Sequence, residues 1–191
     1  AGGWTMSRIV DNGDLSLADA LSDVLPHSAA FDACVGYFNL RGWRLLRDAI
    51  GAMKEPPEGR SQVRLLVGMA VLPADAVRRF VEAGPDPVDM STAVHRANAA
   101  VLGFARQLTW GVPTKTEIAG LRQLQKDLAD GLVQVKFSAR ESLHAKLYIA
   151  HEAGGMQNRR AIVGSSNFTA AGLVRQGELS LEETDQVVAQ E

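Results

Sequence analysis

Alternation of strand-like apolar runs with amphipathic segments predicts an α/β fold, a mixed β-sheet flanked by helices, with a helical insertion near residues 84–130. Three observations carry that expectation. Short apolar runs recur at 31–38, 63–69, 132–137, 143–150 and 161–163. Between several of them, apolar side chains recur three and four residues apart. The connections are long enough to cross over between parallel strands.

Asn12-Gly13-Asp14 offers turn and N-cap chemistry ahead of a helix over about 15–25, where Leu15, Leu17, Ala18, Leu21, Val24 and Leu25 share one face. The run at 31–38 reads as a buried strand, and 43–53 as a helix carrying Leu45, Leu46, Ile50 and Met53. Pro56 and Pro57 lack amide donors, so 55–59 is a loop before the strand at 63–69. A helix follows at about 74–83, and Gly84-Pro85-Asp86-Pro87 breaks the chain. Helical patterns over 91–109 and 115–130, split by Gly111-Val112-Pro113, form the insertion. In 132–137, Val133, Val135 and Phe137 alternate with Gln134 and Lys136, as one buried and one wet face of a strand require. Strands at 143–150 and 161–163, a short helix at 169–174 and a strand at 178–181 complete the pattern. The whole of 1–191 reads as a single domain. Its last residues, 184–191, look like an element cut short, so the chain is expected to be a fragment of a longer protein.

The balance of 20 basic and 22 acidic side chains, net −2, excludes a polybasic protein whose entire surface binds nucleic acid. No apolar run reaches the roughly 20 residues of a bilayer span. The single cysteine, Cys34, can form neither an internal disulfide nor a cysteine zinc site, which fits a reducing, cytoplasmic setting; it reads as a core packer. Trp43 and Trp110 read as anchors of helical patterns, and His95 has no ligand one turn on that would suggest a metal.

Chemistry concentrates in His144-Ala145-Lys146 and, twenty positions after His144, Gly164-Ser165-Ser166-Asn167. On a strand, residues two apart share a face, so His144 and Lys146 project together. An imidazole can attack phosphorus while a neighbouring ammonium neutralises the phosphoryl oxygens and favours the neutral ring. Gly164 lets backbone approach a ligand closely, and Ser165 and Asn167 offer a hydroxyl and an amide to a phosphate oxygen.

These elements resemble the signature of the phospholipase D superfamily, His-x-Lys, four residues, Asp, and then Gly-Ser-x-Asn. The resemblance implies a histidine nucleophile at His144, phosphate binding by Lys146, and support from Ser165 and Asn167. Glu178 falls where members carry a glutamate that accepts a hydrogen bond from the histidine and fixes its tautomer. At one position the chain departs from the signature: the family aspartate is replaced by His151, with Glu152 beside it. Ile9-Val10-Asp11-Asn12, Val35-Gly36-Tyr37-Phe38 with Gly42, the run from Val63 to Gly68, and Gly177-Glu178-Leu179 resemble the amino-terminal modules of this superfamily fused to bacterial helicases.

The family reaction needs one histidine to attack and one to protonate the leaving oxygen. Only one His-x-Lys is present, since His27, His95 and His151 lack a lysine two residues on. A homodimer with a composite site at its two-fold axis is therefore expected. Between 131 and 175, six cations face two carboxylates, a local +4 that suits a nucleic-acid backbone. Gly164, Ser166, Arg159 and Arg160 are accordingly assigned to the substrate. The resulting expectation is a metal-independent nuclease acting on DNA through a phosphohistidine, without cofactor or membrane and attached to a helicase. The alternatives are a degenerate nucleic-acid-binding module and, more remotely, a phospholipid hydrolase.

Overall fold

A computed structural model describes residues 7–68, 115–138, 143–153, 159–175 and 177–183. The helices expected at 74–83 and 91–109, with His95 and Trp110, and the tail at 184–191 lie outside the described residues. In chain order the elements are β1 (Arg8–Val10), α1 (Leu17–Val24) running into a 3-10 turn (Leu25–His27), β2 (Ser28–Val35), α2 (Leu40–Gly51) and β3 (Val63–Val67). There follow α3 (Lys115–Ala129), β4 (Val133–Phe137), β5 (Lys146–Glu152), β6 (Arg159–Gly164), α4 (Ala170–Val174) and β7 (Ser180–Glu183).

The strands form one mixed sheet in the order β1-β7-β6-β5-β2-β3-β4. The β2-β3-β4 pairs are parallel and the other four antiparallel. The α/β class read from the sequence is thus the observed one, and α3 fills the last part of the expected insertion. β1 escapes a periodicity argument because it has only three residues. Phe31, Ala33 and Val35 of β2, with Val63, Leu65 and Val67 of β3, turn one sheet face toward α1 and α2. Into that face pack Leu17 and Leu21 of α1, Trp43 and Leu46 of α2, and Leu173 of α4. The core centres on Phe168, fully buried, whose ring meets those of Phe31, Phe38, Trp43 and Tyr148.

Local chemistry moves the ends of elements away from where apolar spacing alone put them. Ser16 caps α1, its Oγ accepting the Asp19 N–H at 3.1 Å, while Asn12 takes a left-handed turn at φ 58°. Asn39 caps α2 by accepting the Gly42 N–H at 2.7 Å, so the helix begins three residues before Trp43. β2 stops at Val35, and Phe38, expected inside that strand, forms an isolated parallel bridge with Phe168. Among the described residues no helix is long and apolar enough to cross a membrane.

On the sheet face away from α1 and α2, Asp32 gathers three basic partners. Arg64 binds it through two nitrogens at 2.7 and 2.6 Å, Arg60 at 2.9 Å and His151 Nε2 at 2.8 Å. Burial alone would raise the Asp32 carboxyl, but hydrogen bonds from Arg64 and His151, with the charges of His151 and Arg60, hold it far below the ordinary carboxylate range. A depressed carboxyl stabilises the fold above its unfolded-state value, and the contribution disappears as pH falls through and below that range. Acid titration of thermal stability should therefore be steeper below about pH 4 for the parent than for Asp32→Asn, which loses stability at neutral pH but titrates less.

Candidate active site

The register of β5 decides which groups meet. Lys146, its first residue, lies opposite Val35 at the end of β2, and Leu147 lies opposite Val163. The carboxyl ends of β2, β3 and β6 therefore converge where the chain enters β5, the place at which α/β sheets leave a crevice. His144 stands there, exposed, two residues before the strand. Lys146 Nζ lies 3.0 and 3.2 Å from Nδ1 and Nε2 of His144 and donates to its carbonyl oxygen at 3.1 Å. The expected pairing of these two side chains is what the geometry contains.

Asn167 completes the group. Its Oδ1 accepts the Tyr37 N–H at 2.9 Å, which directs the amide nitrogen elsewhere as a donor. A Cβ on Gly36 would stand 3.2 Å from Asn167 Oδ1 and 3.4 Å from His144 Cδ2, so imidazole and amide flank this glycine. Gly68 is tighter still. A Cβ there would overlap the carbonyl of Leu143, the residue before His144, while the Gly68 N–H donates to Val35 O at 2.8 Å. Neither glycine was singled out from the sequence as a site residue. The available signal was that three apolar runs end in the same pair: Val35-Gly36, Val67-Gly68 and Val163-Gly164.

Several expected roles change. Gly164 has no room for a side chain because Ser180 Oγ and the Leu179 carbonyl press on it; it serves the contact of β6 with β7. Ser165 Oγ accepts the Leu179 N–H at 3.1 Å, and its own N–H donates to Leu179 O at 3.1 Å, fixing the backbone beside Glu178. Ser166 is buried at 1% exposure, its Oγ 3.4 Å from that of Ser180, and its carbonyl accepts the Tyr148 hydroxyl at 2.8 Å. It faces the interior rather than a substrate. Burial, reinforced by the charge of Glu178, pushes the Tyr148 phenol up, which keeps it a neutral donor to that loop. Burial lowers the Lys146 ammonium, and the Glu178 carboxylate opposes that shift. The His144 ring itself bonds Lys146, not Glu178.

Arg159 and Arg160 are misplaced for the role assigned to them. Antiparallel pairing sets Arg159 opposite His151, roughly 16 Å along β5 from Lys146 at about 3.3 Å per residue. Arg160 is ion-paired with Glu152 at 3.0 Å and with the buried Glu182 at 3.7 Å. The same geometry places the departure at position 151 away from the His144–Lys146 pair. His151 is 5% exposed, lies on the opposite sheet face from Lys146, and binds Asp32. Among the described residues no three His, Cys, Asp or Glu side chains come together to hold a metal ion.

No family model matches the chain, and no curated protein matches it by sequence. Solved structures do. NucT from Helicobacter pylori aligns with a TM-score of 0.50 at 10% identity, over 97% of this chain and 89% of that one. The phosphatidylserine synthase of Haemophilus influenzae Rd KW20 aligns with a TM-score of 0.51 at 15% identity, over 96% of this chain and 36% of the other. Nuc from Salmonella typhimurium, a phospholipase D family member, aligns with a TM-score of 0.49 at 10% identity, over 97% and 87%. The chain has the phospholipase D-like fold.

The two glycines should separate packing from placement. Gly36→Ala is expected to fold with a melting midpoint near that of the parent and to move the His144 ring resonances in an NMR spectrum. Gly68→Ala should cost about 4 kcal/mol or more, read from urea unfolding, because backbone cannot yield there.

Proposed function

We propose that this chain is a metal-independent phosphodiesterase, a nuclease that cleaves DNA through a phosphohistidine at His144. The observation that carries the reading is an exposed imidazole with an ammonium 3.0–3.2 Å from its ring nitrogens and the Asn167 amide beside it, all at the open end of the sheet. In this reading a ring nitrogen of His144 attacks phosphorus. A P–N bond forms as the P–O bond to the departing nucleotide breaks, and a second imidazole protonates the leaving oxygen. That imidazole then takes a proton from water, which attacks the phosphohistidine and releases His144. Lys146 and the Asn167 amide stabilise the charge on the non-bridging oxygens. Ser165 holds the segment that carries Glu178, whose charge maintains the Lys146 ammonium.

The second imidazole is the symmetry-related His144 of a homodimer, because the sequence holds one His-x-Lys. The setting proposed is a cytoplasmic module of a longer, helicase-bearing protein, supported by the likeness of its outer segments to such modules.

Labelled DNA in excess chelator tests the reaction. The parent chain should cut it, and His144→Ala should lose about a thousandfold or more and form no acid-labile phosphate adduct. Cleavage that survives the substitution or requires added metal removes the mechanism, and binding without cleavage or adduct leaves a nucleic-acid-binding module. Mixing parent chains with an excess of His144→Ala chains should depress activity below that of the parent alone, since each heterodimer supplies one imidazole where two are needed. Activity proportional to the parent chains would show sites that act singly.

A further inference from the structure

With Arg159 at the far end of β5 and Arg160 ion-paired, the substrate needs other partners near His144. The segment joining β2 to α2 supplies them. Tyr37 is tied there by backbone: its N–H donates to Asn167 Oδ1 at 2.9 Å and its carbonyl accepts the Phe168 N–H at 3.1 Å. The following residue, Phe38, is bridged to Phe168, and both rings enter the aromatic core at 8% and 0% exposure. Neighbouring residues on extended backbone point to opposite sides. Tyr37 and Asn167, each preceding a core aromatic, therefore share the side away from the core, where Asn167 and His144 flank Gly36.

Tyr37 is chemically unlike the other rings around it. Phe31, Phe38, Trp43, Tyr148 and Phe168 contact one another, and the Tyr148 hydroxyl is hydrogen-bonded. The Tyr37 ring is outside that cluster and half-buried. A half-buried ring keeps part of its surface for a ligand, and burial already raises its phenol. Four residues on, Arg41 lies exposed on the first turn of α2, two residues after the Asn39 cap.

We infer that Tyr37 and Arg41 form the lip that receives a single-stranded nucleic acid, the ring stacking on the base next to the reacting phosphate and the guanidinium binding a neighbouring phosphate. The inference rests on the nucleic-acid reading of the site. Aromatic stacking accepts any base and requires one not already stacked in a duplex, and an arginine supplies sequence-independent grip on the backbone.

Binding of a short labelled single strand to the full chain tests this, measured in the His144→Ala background so that cleavage does not intervene. Tyr37→Ala should weaken affinity about tenfold or more, and Tyr37→Phe, which keeps the ring, should recover it. On a strand whose residues are abasic, Tyr37→Ala and its parent should bind alike, because the base that the ring holds is gone. Arg41→Gln should lower the slope of log affinity against log salt by about 0.7 on either strand. An equal loss on intact and abasic strands, unchanged affinity in Tyr37→Ala, or no binding of single strands overturns the inference. Chelator-resistant cleavage with an absent stacking effect removes the lip and leaves the reaction. A stacking effect without cleavage removes the reaction and leaves the lip.

Discussion

Backbone contact at the ends of the central strands governs everything else in this molecule. β5 lies antiparallel between β2 and β6, with Lys146 opposite Val35 and Leu147 opposite Val163, and that register delivers His144 to the converging strand ends. The approach is close enough that Gly68 admits no Cβ against Leu143 and Gly164 none against Leu179. A strand face repeats every second residue, so a slip of one position would turn Lys146 to the wrong side of the sheet. The groups clustered at His144 are thus placed by pairing and by absent side chains, more than by bonds between the groups themselves.

Charge is partitioned by the same sheet. On one face Asp32 absorbs Arg60, Arg64 and His151, and on the other Glu152 and Glu182 absorb Arg160. At the end of the sheet Lys146 stands against the His144 ring with Glu178 near. The first two sets hold strands together, and the last stands at the open end of the sheet. Counting charges along the chain cannot make this separation, because Arg160 and Lys146 contribute equally to a local sum.

Much of the fold was readable because strand and helix periods alternate clearly. The runs at 63–69 and 132–137 became β3 and β4 within two residues. His144 and Lys146 do meet, but β5 begins only at Lys146, so the strand expected over 143–150 does not itself align them. Boundaries shifted where a side chain caps a helix, as at Ser16 and Asn39, since capping competes with apolar spacing. The substrate roles of Arg159 and Ser166 failed for a physical reason. Sequence distance from a motif says nothing about which end of an antiparallel pair a residue reaches, and alternation beyond a strand end was needed to see that Ser166 points inward. Tyr37 lay in a run read as buried, and only the break at Gly36 frees its ring from that assignment.

The contact of Gly68 with Leu143 also has a dynamic consequence. Since the backbone leading to His144 is wedged against the strand next to β2, the imidazole has no soft hinge of its own on that side. Heat or denaturant would have to part β2, β3 and β5 before the ring lost its place. Displacement of the ring and global melting would then be one cooperative event.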